Sequence, residues 1–168
     1  VRIVDDEGKD IPAGNLGEIV LKGPKVFKGY WKKEKETAEA IKDGWFHTGD
    51  MGRMDEEGYV YIMDRKKDII VSGAENISAR EVENVIYTHP AVLECAVIGV
   101  PSEKWGEEVK AIVVPRQGMT VTPEEIIEYC RDKMAGFKRP KSAEIWKELP
   151  KNPSGKILKR EIRAMYRK

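Results

Sequence analysis

The sequence has 168 residues, 40% of them apolar and 35% charged, and its 30 basic and 29 acidic side chains leave a net charge of +1. That length accommodates one medium domain or two small ones with a genuine core, and the charge balance argues against nucleic acid or an anionic membrane as a bulk electrostatic partner. No apolar run reaches the ~20 residues of a transmembrane segment and no signal peptide is visible. Cys95 and Cys130 fall inside predicted elements rather than in a spaced framework, which favours a reducing, cytoplasmic compartment.

The chain opens at Val1 in what reads as mid-strand, so a fragment of a longer protein is expected. Val1-Arg2-Ile3-Val4 and Gly17-Glu18-Ile19-Val20-Leu21 read as strands, with Gly8, Pro12 and Gly14 punctuating the link. Residues 32–41 are charge-rich with Ala38, Ala40 and Ile41, the pattern of a short surface helix. Asp43-Gly44 is a turn, and residues 51–54 and 59–63 form strands around Asp55-Glu56-Glu57-Gly58. This half is nearly all β and too short for a self-sufficient sandwich. It reads as the last piece of a barrel-like subdomain.

Asp64-Arg65-Lys66-Lys67-Asp68 follows, wholly charged and costly to bury. It predicts a solvated connector, leading to a short strand at Ile69-Ile70-Val71 and a glycine loop at Gly73. Beyond it the pattern changes. Ser78 with Glu81 makes a capping box, with Val82, Val85 and Ile86 on one helical face, and His89-Pro90 stops that helix. Residues 92–100 and 109–114 are predicted strands. Thr122-Pro123-Glu124-Glu125 is a second capping box with proline at the first helical position. Residues 145–149 read as a third strand and 157–166 as a last helix. The expected fold is α+β: the end of a β-rich, barrel-like subdomain at 1–64, then a compact domain at 65–168 with a small sheet covered by helices.

Several residues could carry chemistry. Asn152-Pro153-Ser154-Gly155-Lys156 is no Walker loop, because Pro150 and Ile157 stand where that motif needs glycine and a hydroxyl. It does place a lysine on an exposed tight turn, a mobile point charge suited to an anionic oxygen, although an ordinary turn with a solvated lysine explains the same residues. Thr48-Gly49-Asp50 offers a carboxylate on a glycine turn, able to accept from two adjacent hydroxyls or simply to close a β-turn. His47 and His89 lack partners at metal spacing and read as surface or packing residues. Neither cysteine has a nearby histidine and acid in sequence, which argues against thiol catalysis.

The motifs gain force from their order: Gly17-Glu18-Ile19, Gly29-Tyr30-Trp31, the run Gly44 to Asp50, Gly58-Tyr59 with Asp64 to Asp68, Ser72-Gly73-Ala74-Glu75-Asn76, and Pro150 to Lys156. This series resembles the C-terminal part of the adenylate-forming acyl-CoA synthetases, whose superfamily includes luciferases and peptide-synthetase adenylation domains. The resemblance covers essentially the whole chain. It implies a ligase that joins a fatty or aryl carboxylic acid to ATP as an acyl-adenylate, then transfers the acyl group to coenzyme A. It also implies Mg2+, with ligand residues upstream, and a missing N-terminal domain of the same chain. Carried over by position, Asp50 would hold the ribose hydroxyls, Arg65 would contact the nucleotide, and Lys67 would be a hinge. Lys156 would be the catalytic lysine of the first step, and Gly73 would border the CoA channel in the second. Ala74 departs from the second glycine of many relatives and suggests a stiffer loop. A stand-alone nucleotide- or CoA-binding regulatory module, a peptide-synthetase adenylation domain and a luciferase-like enzyme remain as alternatives.

Overall fold

The computed structural model describes residues 1–166. They divide into two units, one spanning Val1–Lys67 and the other running from Asp68 onward.

The first unit is one curled antiparallel sheet, a half-barrel. Strand β1 (Arg2–Val4) pairs with β2 (Gly17–Leu21), and β2 pairs with the long β4 (Trp45–Met54). Strands β3 (Ile41–Lys42) and β5 (Val60–Arg65) also pair with β4. Ile3, Val4, Ile19 and Val20 are buried and form its inner layer. Two bulges bend this sheet, one opposite Glu18–Val20 and one at Met51/Gly52, the usual way a strand is re-aimed without leaving its ladder. Gly52 is required there: a Cβ would lie 2.7 Å from the Tyr61 carbonyl oxygen. Helix α1 (Glu34–Ala40) buries no residue, as a charge-rich surface helix should. It is shorter than the expected 32–41 because Ile41 leaves it to pair with Phe46.

The second unit is built on the hairpin of β8 (Val92–Ser102) and β9 (Gly106–Pro115). Its sheet order is β10-β9-β6-β7, with β8 pairing β9, where β6 is Ile69–Ser72, β7 is Glu75–Ser78 and β10 is Ser142–Ile145. Both faces of the sheet are covered. Cys95, Val97, Ala111 and Val113 point into a core shared with α2 (Ala79–Tyr87) and α3 (Pro123–Tyr129). Ala96, Ile98, Ile112 and Val114 point the other way, into a core closed by Leu149 and by Ile162 of α4 (Lys159–Tyr166). Double-sided burial is why residues 92–100 read as an apolar run instead of an alternation. Capping fixes the helix starts: the Ser78 hydroxyl accepts from Glu81 N at 3.1 Å. Thr122 Oγ1 accepts from Glu125 N at 3.2 Å, while Thr122 N donates to the Glu125 carboxylate at 2.7 Å.

Four expectations are corrected. The third strand of this half is Ser142–Ile145, not 145–149, because those residues find parallel partners at Lys110–Val113 of β9 while Leu149 turns into the core. The glycine loop is the turn of a hairpin, since Glu75–Ser78 folds back on β6 as β7. The last helix begins at Lys159, two residues late, because Ile157 bridges to Lys151. The charged connector is not uniformly solvated: Asp64 is 7% exposed and accepts from Arg65 N at 2.8 Å, and residues 66–68 form a 3-10 turn. No helix among the described residues is long and apolar enough to cross a membrane.

Ile86 is fully buried between α2 and the sheet. Ile86→Ala is expected to cost about 2–5 kcal/mol, read as a lowered midpoint with an unchanged slope in urea unfolding.

Candidate functional site

Within the first unit the β4–β5 ladder sets Asp50 directly across from Arg65, and Arg65 Nε donates to Asp50 Oδ1 at 3.3 Å. The carboxylate is 34% and the guanidinium 49% exposed, so both remain open to a ligand. The backbone before Asp50 is pinned: Thr48 Oγ1 donates to the Ile19 carbonyl at 2.7 Å and accepts from Asp50 N at 3.0 Å. Gly49 N donates to Glu18 Oε1 at 3.2 Å. Asp50 therefore projects from within a strand beside a bulge, not from a free turn as its glycine had suggested.

Glu18 is the support that sequence reasoning overlooked. Its carboxylate is only 8% exposed and faces His47 Nδ1 at 3.2 Å and Lys66 Nζ at 3.1 Å, besides Gly49 N. Burial alone would raise its pKa, but the hydrogen bonds from His47, Lys66 and Gly49 N and the Lys66 charge outweigh it and hold the carboxyl below its ordinary value. Its traces in the sequence are an acid in an otherwise apolar strand and its place in the Gly17-Glu18-Ile19 motif, neither of which gave it a role. Lys67, the expected hinge residue, follows Lys66 and is exposed.

In the second unit Lys156 lies exposed at a rigid turn. Asn152 Oδ1 accepts from Ser154 N, Ser154 Oγ and Lys156 N at 3.1, 2.8 and 2.8 Å, closing the turn around one amide. Gly155 adopts φ +82, which a side chain would resist. Both flanks are tied down: Lys151 pairs with Glu94 of β8, and Lys159 pairs with Glu83 of α2 at 2.6 Å. The ammonium is exposed, while the backbone beneath it is held by these bonds. Gly73 occupies the β6–β7 turn at φ +64, donating from its N to the Trp105 carbonyl at 2.7 Å. An added Cβ would lie 3.2 Å from the Trp105 ring.

The remaining titratable candidates fall away. His89 Nδ1 accepts from Ala91 N at 3.2 Å and its ring packs edge-on against Tyr129. Cys95 and Cys130 are free but buried, and burial pushes both thiols up, so neither offers a nucleophile. Among the described residues no group of His, Cys, Asp and Glu could hold a metal ion.

Residues 81–156 match the family model described as AMP-binding enzyme C-terminal domain. Over 166 residues the chain is 49% identical to a feruloyl-CoA synthase of an Amycolatopsis species, covering 99% of this chain and 34% of the relative. It is 53% identical to a long-chain-fatty-acid–CoA ligase of Bacillus subtilis, covering 87% and 26%. The ATP-bound crystal structure of MatB from Rhodopseudomonas palustris superposes with a TM-score of 0.87 at 41% identity, covering 98% of this chain and 33% of that one. The chain corresponds to the C-terminal portion of the adenylate-forming acyl-CoA synthetases. It spans a quarter to a third of the length of the curated relatives it matches. The apo structure of MatB matches this chain with the same identity and coverage but a TM-score of 0.67.

The lowered Glu18 pKa makes the first unit acid-sensitive. A carboxyl depressed on folding contributes stability above its unfolded pKa and loses it as pH falls through the folded value. Glu18→Gln is expected to flatten the loss of stability below about pH 4.5 in urea unfolding. A Gln variant with the same acid slope as the parent would contradict the assignment.

Proposed function

We propose that this chain is the nucleotide-gripping and lysine-bearing part of an AMP-forming acid–thiol ligase. In the first step a carboxylate oxygen attacks the α-phosphorus of ATP, the bond to the leaving pyrophosphate breaks, and an acyl-adenylate forms. In the second the thiol of coenzyme A attacks the acyl carbon, releasing AMP and a thioester. A fatty or aryl acid is the substrate class, in keeping with the feruloyl-CoA and long-chain-fatty-acid relatives. The acyl pocket and any Mg2+ ligands belong to the N-terminal domain of the complete protein; among the described residues no group of His, Cys, Asp and Glu suits the metal.

The observation that carries this reading is an exposed lysine on a turn whose base is tied on both sides. Bringing a carboxylate to a phosphate sets anion against anion. An ammonium between them offsets that repulsion, and preorganisation means little reorganisation is needed at the moment of reaction. Asp50 takes the role of acceptor for the ribose hydroxyls, and Arg65, already across the ladder from it, that of a donor to the nucleotide. Gly73 borders the CoA channel, where a side chain would obstruct the approach.

The part of the chain from Asp68 onward acts as the mobile domain, turning about Lys67 between the two steps. The two scores of MatB support this: at the same identity and coverage it matches at 0.87 with ATP and 0.67 without, as a relative that changes arrangement between states would. Hinge residues need not be small, and Lys67 is exposed at the end of the first unit.

The 168-residue chain by itself is expected to release no pyrophosphate from ATP with any acid. In the complete enzyme, Lys156→Ala is expected to slow adenylate formation by at least about 10²–10³ while leaving thioester formation from supplied acyl-adenylate largely intact. Equal loss in both half-reactions would refute the role given to Lys156. Lys67→Pro fixes φ and removes a donor; it is expected to slow the thioester step selectively, and unchanged kinetics in both steps would rule out the hinge.

A further inference from the structure

We infer that two ion pairs, each internal to one unit, grip the chain on either side of Lys67 and confine the pivot to that residue. This rests on the hinge reading above and goes beyond it by assigning Glu18, Asp68 and Arg163 as positioning residues. On the upstream side, Lys66 Nζ lies 3.1 Å from Glu18 Oε2 and 2.8 Å from Asp6 Oδ1. Asp6 is 91% exposed and adds little, but Glu18 is 8% exposed and anchored in β2. On the downstream side, Arg163 Nη1 of α4 lies 2.9 Å from Asp68 Oδ1, with both side chains 14% exposed. Each tether has at least one partner largely withdrawn from water: Glu18 upstream, where Lys66 is 43% exposed, and both Asp68 and Arg163 downstream.

The consequence is geometric. A domain rotation must be absorbed by a few backbone dihedrals. Lys66 is tied into the first unit and Asp68 into the second, so the dihedrals around Lys67 take the change. A short pivot reproduces its end points; a pivot spread along several residues would blur them, and a catalytic geometry loosened by about 1 Å already costs rate. Glu18 has a second task, since the carboxylate that holds Lys66 also accepts from Gly49 N beside Asp50. Loosening Glu18 therefore reaches the nucleotide site, whereas loosening Arg163 does not.

The test uses the complete enzyme, with both half-reactions measured separately and amide hydrogen exchange followed at residues 66–69. Arg163→Gln and Asp68→Asn are each expected to slow the thioester step about tenfold, to change adenylation less than about threefold, and to accelerate exchange at 66–69. Glu18→Gln is expected to do the same and also to raise KM for ATP. The swapped pair, Asp68→Arg with Arg163→Asp, is expected to restore slow exchange and the ratio of the two steps. Arg163→Lys, which keeps the charge, carries the test if the glutamine variant does not fold, with an intermediate effect expected. Exchange and step ratio unchanged in Asp68→Asn and in the Arg163 variant would overturn the proposal. So would equal loss of both steps with no recovery in the swapped pair, the result of a merely structural role. Lys67→Pro separates the two readings: if it leaves both steps unaltered, the hinge reading falls and the ion pairs are local ties only; if it slows the thioester step while the clamp variants change nothing, the hinge stands and the clamps fall.

Discussion

A carboxylate withdrawn from water must be met by donors, and in the first unit nearly everything near the candidate nucleotide site follows from how Glu18 meets that requirement. Three donors converge on it from separate parts of the chain: the His47 ring, the Gly49 amide and the Lys66 ammonium. Leaving any of them out would expose the cost of an under-satisfied buried charge. The constraint fixes where β4 runs beside β2, which in turn fixes where Asp50 stands, and the β4–β5 ladder then brings Arg65 to it. The first unit buries few large apolar side chains, so a polar network of this kind does a share of the ordering that a larger core would otherwise do.

The second unit orders its residues by a different means. Its long β8–β9 hairpin is buried on both faces, and helices on each side complete two apolar cores. That packing leaves the charged side chains at the rim, where they can tie elements together. Glu83 of α2 accepts from Val97 N at 2.7 Å and pairs with Lys159 of α4. Glu81 pairs with Lys138 at 2.7 Å. The turn bearing Lys156 rises from this rim, so an exposed side chain is mounted on a held base. The role proposed for Lys156, reaching into a reaction and withdrawing from it, would use that division between held base and exposed tip.

Some of this was legible in the residues. The capping boxes at Ser78 and Thr122 located two helix starts, and the turn signal at Asp43-Gly44 located a hairpin. The ordered motifs pointed to the family, and the relatives agree. Boundaries fared worse where pairing partners decided them: β7 exists because β6 is beside it, and β10 lies where β9 offers a free edge. The charged run at residues 64–68 misled because charge was taken to mean exposure. Asp64 and Asp68 are instead largely withdrawn from water, Asp64 capping the Arg65 amide and Asp68 paired with Arg163 across a separation of 95 residues.

What the sequence determined by itself was local: helix starts, turns, a β-rich half followed by an α+β half, and the kinds of residue able to hold a nucleotide or bridge two anions. Those features depend on neighbours within a few positions, and their signals survive without the rest of the chain. Tertiary structure alone decided which charges are buried, which strands pair, and that Asp50 faces Arg65 while Glu18 holds the backbone beside them. Such facts depend on groups far apart in sequence being brought within about 3 Å, and no run of neighbouring residues encodes that distance.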